Sequence, residues 1–141
     1  MRSINTFFTI FAMNKLDDML KDKFFSIKER TQDEGTYKFA ILLNKDHQVY
    51  EGHFPAMPVV PGVCTLQMTK ECAEEVIGEK LRYTEISNCK FSAMIVPTQT
   101  QEVEVALTIQ PEAEMFVVKA TVKTQEANFL TLKATLIKEN Q

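Results

Sequence analysis

Apolar and polar residues alternate cleanly in the last third of the chain. Val103, Val105, Leu107 and Ile109 are interleaved with Glu102, Glu104, Ala106 and Thr108, the period of two expected of a strand with one buried face. Phe116, Val118, Ala120 and Val122 repeat the pattern, as do Leu130, Leu132, Ala134 and Leu136. Strands are therefore predicted over Tyr83–Phe91, Glu102–Gln110, Met115–Lys123 and Phe129–Lys138, with short turns at Pro111-Glu112 and Glu126-Ala127-Asn128. Upstream, Phe25–Arg30 and Tyr37–Leu43 read as a hairpin about the turn Gln32-Asp33-Glu34-Gly35. Before it, Leu16, Met19, Leu20 and Lys23-Phe24 suggest a short amphipathic helix, with Asp17 and Asp18 near its positive end.

The period changes in the middle. Val63–Ile77 is the one long helix, bounded by Pro61 at its start and Gly78 past its end, the usual asymmetry of these two residues. At 100° per residue, Val63, Leu66, Thr69, Ala73, Val76 and Ile77 share one broad face. Lys70 falls inside that face, and Gln67 and Glu74 lie at its edge. Between hairpin and helix, His47–Gly62 reads HQVYEGHFPAMPVVPG. Prolines at 55, 58 and 61 exclude helix and withhold sheet donors. A rigid irregular loop of this length in a small domain is more often functional than accidental. The sum is α+β: one long central helix, one short helix and an antiparallel sheet of about five or six strands.

Composition narrows the function classes. The 141 residues are 45% hydrophobic and 25% charged, enough for one packed domain and against disorder. Net charge is −3 and the 16 Lys and Arg are scattered, so no nucleic-acid footprint is expected. Three cysteines without CxxC spacing read as reduced thiols in a cytoplasmic protein. They also make a multi-ligand metal site hard to build, and no metal or organic cofactor is implied. No apolar run is long enough to span a membrane. Met1–Met13 (MRSINTFFTIFAM) lacks the long apolar core and cleavage site of a signal peptide. It reads as an N-terminal extension over 1–12, ahead of a single domain over 13–141.

Only two histidines are present, His47 and His53. His47 sits in the polar stretch Asn44-Lys45-Asp46-His47 and reads as a solvated loop residue. His53 lies between Gly52 and Phe54 in the proline-stiffened loop, where a general base near neutral pH is well placed. Nine residues on, Gly62 opens the helix, whose first N–H groups have no internal acceptor and sit at the positive end of the dipole. A glycine there can bring a bare N–H up to a carbonyl oxygen that gains negative charge. Base and donor on one loop suit proton abstraction next to a carbonyl. The plain alternative is a capped helix after a proline turn, with His53 merely hydrogen-bonded. Cys64, just inside the helix, is either a thiol activated by the helix start or a buried core cysteine. Met57, Met68, Met94 and Met115 either line an acyl tunnel or fill the core.

Gly52-His53-Phe54-Pro55 followed by Pro58-Val59-Val60-Pro61-Gly62-Val63 resembles the motif of the (3R)-hydroxyacyl-[acyl carrier protein] dehydratases. The likeness extends more weakly over Asn14–Asn140 and includes Ile86–Pro97 (ISNCKFSAMIVP). It implies the hotdog fold, a sheet wrapped round the long helix, and a homodimer or larger oligomer with active sites at the subunit interface. It implies that His53 removes the C2 proton of a 3-hydroxyacyl thioester while the Gly62 N–H polarises the thioester carbonyl. Phe54, Pro61, Val63 and Phe91 would contact substrate, and the acyl group would arrive on the phosphopantetheine of an acyl carrier protein. Lys80, Arg82 and Lys90 are candidates for docking that acidic partner. One position departs from the family. Fourteen residues after the histidine, where the family has a helix carboxylate that reaches in from the other chain and handles the departing hydroxyl, this chain has Gln67, which cannot act as an acid. Some divergent dehydratases also lack that carboxylate, including those linked to aryl-polyene-type pigments. Three readings stay open: His53 serves as base and acid, Lys70 one turn along substitutes, or the chain binds acyl thioesters without dehydrating them. A hotdog thioesterase is the remaining alternative.

Overall fold

A computed structural model describes residues 21–47 and 59–139. The six strands are β1 (Phe25–Asp33), β2 (Thr36–Leu43), β3 (Leu81–Phe91), β4 (Glu102–Glu112), β5 (Met115–Lys123) and β6 (Asn128–Lys138), and helix α1 is Gly62–Ile77. All neighbouring strands are antiparallel, in the order β1-β2-β4-β5-β6-β3. α1 packs against β3, β4 and β5. This is the α+β arrangement anticipated, one sheet about one long helix.

The alternating runs place their apolar members inward as predicted. Val103, Val105 and Leu107 of β4, Val118, Ala120 and Val122 of β5, and Leu130, Leu132, Ala134 and Leu136 of β6 are all buried. β3 keeps its inner face by a different route. Thr84 and Ser87 are extra residues, marked by register shifts between Tyr83 and Glu85 and between Ile86 and Asn88. Each is a bulge that adds one residue. The inward series therefore runs Leu81, Tyr83, Ile86, Cys89, Phe91, opposite Lys138, Leu136, Ala134, Leu132 and Leu130. One bulge alone would turn Phe91 to the outer face; two restore it. The hydroxyls of Thr84 and Ser87 donate to the Thr135 and Lys133 carbonyls, both at 3.2 Å.

Several element limits differ from expectation. β1 runs on to Asp33, so the turn is only Glu34-Gly35. Both residues have positive φ, 51° and 84°, the two-residue hairpin turn whose twist matches its strands. β4 includes Pro111 and Glu112, paired with Phe116 and Met115, and the turn lies at Ala113-Glu114 instead. Proline is tolerated there because β2 pairs with β4 only from Glu102 to Leu107; by Pro111 that side of β4 has no described strand to supply. The short helix proposed before β1 falls mainly outside the described residues. Its last part, 22–24, is a turn, with Asp22 at φ 68°.

α1 is also not one-sided. Ten consecutive residues, Cys64 to Ala73, are buried, whereas Val63, Val76 and Ile77 of the predicted face are only partly so. A helix buried all round is a central element, and its polar side chains need partners inside the protein.

Candidate active site at the start of the central helix

The approach to α1 is tied down from outside the helix. Val60 N–H donates to the Ile95 carbonyl at 2.9 Å, and the Cys64 and Thr65 N–H groups donate back to the Pro61 carbonyl. Pro61 occupies the cap position in extended conformation, φ −63° and ψ 144°, and offers no side-chain cap. Gly62 is exposed. Among the described residues no acceptor takes its N–H, as expected for the first turn of a helix. Beneath it lies Phe91: a Cβ on Gly62 would stand 3.1 Å from Phe91 Cζ. A side chain here would require the Phe91 ring to give way by a few tenths of an ångström. Pro61, Gly62, Val63 and Phe91, four of the seven residues nominated from the sequence, are thus brought together. His53 and Phe54 lie outside the described residues. Ile95, which sequence reading did not single out, anchors the loop that precedes the site.

Gln67 lies farther along α1 and is 2% exposed. Its Nε2 donates to Glu71 Oε2 at 2.7 Å. The other Glu71 oxygen accepts the Lys21 backbone N–H at 2.8 Å, while the Lys21 ammonium pairs with Glu75 at 2.6 Å. A buried carboxylate therefore does occupy this helix, one turn beyond the expected position. The i,i+4 spacing of Gln67 and Glu71 is visible in the sequence; that both are buried is not.

Lys70 points elsewhere. Its ammonium donates to the Leu81 carbonyl at 3.1 Å and lies 3.7 Å from Glu74 Oε2. The Leu81 N–H donates to the same Glu74 oxygen at 2.8 Å. Burial pushes the Glu74 carboxyl up, and the Leu81 N–H and Lys70 offset part of that. Lys70 sits on the buried surface because it joins the helix to the start of β3.

The cysteine alternative loses ground. Cys64 is buried, and desolvation pushes its thiol up to about 11, away from a reactive thiolate. Cys72 and Cys89 are raised by burial as well. His47 stacks edge-on against Phe24 at 5.4 Å. Met68 is core, Met94 and Met115 are exposed, and Met57 lies outside the described residues. Lys80, Arg82 and Lys90 do not form one patch. Lys90 adjoins Phe91, whereas Lys80 and Arg82 stand at the opposite end of β3, roughly 25 Å away at the rise of a strand. No described helix is long and apolar enough to cross a membrane, and no group of three potential metal ligands occurs among the described residues.

An antiparallel sheet about a buried central helix is the hotdog fold. The chain belongs to the ApeI-like family, described as ApeI dehydratase, whose model matches residues 29–130. It is 30% identical over 97 residues to the 3-hydroxyacyl-[acyl-carrier-protein] dehydratase FabZ of Bacillus velezensis, covering 64% of this chain and 66% of that enzyme. To the FabZ of Dinoroseobacter shibae it is 26% identical over 74 residues, 46% of this chain and 44% of that enzyme. The chain thus spans about half to two-thirds of the length of these curated relatives. Among solved structures, the dehydratase heterocomplex ApeI:P from Xenorhabdus doucetiae superposes with a TM-score of 0.63 at 16% identity, covering 79% of this chain and 96% of that one.

Proposed function

We propose that the chain dehydrates a (3R)-3-hydroxyacyl thioester, carried on an acyl carrier protein, to the trans-2-enoyl thioester, in fatty acid or polyene-type lipid synthesis. The observation that carries this reading is the exposed Gly62 at the start of α1, which stands over Phe91 and follows the His53 motif in the sequence. The Gly62 N–H donates to the thioester carbonyl oxygen, which gains negative charge as the C2 proton leaves. His53 takes that proton. The C2–C3 double bond forms, the C3–O bond breaks, and the departing oxygen takes the proton back from His53 and leaves as water. One imidazole then serves as base and acid, which the commitment of Lys70 to Leu81 and Glu74 supports. Gln67 orients the 3-hydroxyl group.

β3 ends the sheet on one side, and its outer edge supports pairing with a second subunit. The three free cysteines support a reducing, cytoplasmic setting. The test is dehydration of a (3R)-3-hydroxyacyl carrier-protein thioester by the full chain, followed as enoyl product. His53→Ala is expected to lower kcat by about 10²–10⁴-fold; full activity in that variant sinks the reading.

A second reading has support from Gln67 and from the heterocomplex named for the Xenorhabdus neighbour. In it this chain binds the acyl thioester and a different hotdog subunit supplies the acid. Product formation only after a partner chain is added would favour it. Thiol release without enoyl product would mark a thioesterase.

A further inference from the structure

The outer face of the sheet gathers positive charge in one place. Lys38, Ala106, Thr121, Thr131 and Lys90 stand in register as one row across β2, β4, β5, β6 and β3. In the next row Thr108, Lys119, Lys133 and Asn88 cross β4, β5, β6 and β3. All four lysines are exposed, and neither row holds an acid. Among the described residues none of the four forms an ion pair. Lys119 and Lys133 face each other directly, an arrangement that costs stability. The same sheet opposes unlike charges one row away, where Glu104 faces Lys123. In a chain of net charge −3, four lysines about small uncharged side chains make a local basic field.

A shallow hollow of about 460 Å³ lies over these rows. Its lining includes Lys119, Lys133, Asn88, Ala106, Thr121 and Thr131 and no acidic residue. We propose that this hollow is a docking surface for an acidic amphipathic helix of a partner protein. The dimensions favour a helix. From Lys38 to Lys90 the row spans four strand spacings, about 19 Å, the length of a helix of about 13 residues. Lys119 and Lys133 are one strand apart, about 4.8 Å. Carboxylates along one flank of a helix recur every turn, about 5.4 Å, and meet that spacing. Same-side residues of an extended peptide recur at about 6.8 Å and overshoot it. Charge sets the orientation. Glu104 lies on the far side of the Lys38 row, so the carboxylates face Lys119 and Lys133 and the opposite flank is uncharged. Small side chains of the partner rest on Ala106, Thr121 and Thr131. The surface is on the side of the sheet away from α1 and does not depend on the reaction proposed for Gly62.

The test uses the full chain and two fluorescent, stapled helical peptides of about 13 residues and equal composition. One carries a Glu every turn along a single flank; in the other the same Glu residues are spread round the helix. At low salt the one-flank peptide is expected to bind the wild type at least about fivefold more tightly than its isomer, and to weaken as salt rises. Lys119→Ala combined with Lys133→Ala is expected to weaken it by roughly 3–10-fold and to bring the two peptides to within about twofold of each other. Lys133→Glu should abolish the preference while raising the melting temperature, because it turns a like-charge pair into an opposite one. That variant separates loss of docking from loss of fold. Lys138→Ala, whose ammonium pairs with Glu79, should leave both peptides unchanged. Equal binding of the two peptides, or wild-type binding by a folded Lys119 and Lys133 variant, overturns the proposal. A flexible poly-glutamate or an anionic phospholipid vesicle that binds as tightly as the one-flank peptide overturns it as well. Self-association of the wild type that Lys133→Glu abolishes assigns the face to a second copy of the chain, and also overturns it.

Discussion

The two ends of the central helix are both marked by glycine, for opposite reasons. Gly78 is there for its backbone: φ is 84°, nothing lies within 4 Å of where a Cβ would stand, and its N–H closes the helix on the Glu74 carbonyl at 2.7 Å. Around it the polar groups are matched. Lys70, Glu74 and both backbone groups of Leu81 form one cluster. Gly62 has an ordinary backbone and is there for its missing side chain, which lets Phe91 approach. The residue is exposed, and no described acceptor takes its N–H. One end is closed by its own chain; the other is the end at which the proposed function places a ligand. A helix start is closed by acceptors and a helix end by donors or a left-handed glycine; α1 has the second and, among the described residues, no side-chain acceptor for the first.

The comparison breaks first if Gly62 can be filled. Gly62→Ala is expected to lower kcat by roughly 10²-fold, because a displaced donor is misaimed at the carbonyl, and to cost about 1 kcal/mol from crowding Phe91. Adding Phe91→Leu should recover the stability, as read by thermal melting, and only part of the rate. An alanine variant with wild-type kcat removes the case for this end as the site.

Next in size is Lys70→Met at the closed end. Loss of the ammonium from Leu81 and Glu74 is expected to destabilise by about 2 kcal/mol while kcat at saturating substrate stays within about twofold of wild type. A stable Lys70→Met protein with no turnover would instead make Lys70 the acid. Gly78→Ala should cost about 1 kcal/mol through the left-handed backbone alone and leave kcat and KM untouched.

The smallest effect concerns Cys64. With its thiol raised to about 11, alkylation at pH 7.5 should be slow and should accelerate only as pH climbs toward that value, in contrast to a free thiol. The folded state's higher pKa also means that Cys64 favours folding at neutral pH. That contribution fades as pH rises past the ordinary thiol range toward 11, because the unfolded chain loses the proton first. Denaturation at pH 10 should therefore need less urea than at pH 8, and less so in Cys64→Ala.

Much of this contrast was legible in the residues. The later strands declared themselves because one face is buried and the other is not, and Pro61 with Gly78 bracketed the helix. Gly62, Pro61, Val63 and Phe91 were nominated together and stand together. What escaped had tertiary causes. β1 beyond Ile27 is exposed on successive residues, so no alternation announces it. Pro111 reads as a turn until one knows that β2 stops short of it. Lys70 looks misplaced on an apolar face because its partner, the Leu81 carbonyl, lies across a helix-to-strand connection. Glu71 went unremarked because its burial depends on a helix enclosed on all sides, which periodicity cannot show. The bond from Val60 to Ile95 joins segments thirty-five residues apart and leaves no local mark.

That bond has a consequence for how such a chain can diverge. It makes the loop after β3 and the start of the helix one mechanical piece, so any change in the length of 92–95 is transmitted to the Gly62 amide. Among the described residues the turns at Glu34-Gly35 and Ala113-Glu114 carry no such linkage and can accept insertions at little loss. Natural variation in length should therefore collect at those hairpins, while Met94, exposed at 72% on the tethered loop, is free to change in kind but not in number. A lineage can repaint the rim of this site residue by residue, but it cannot re-space it.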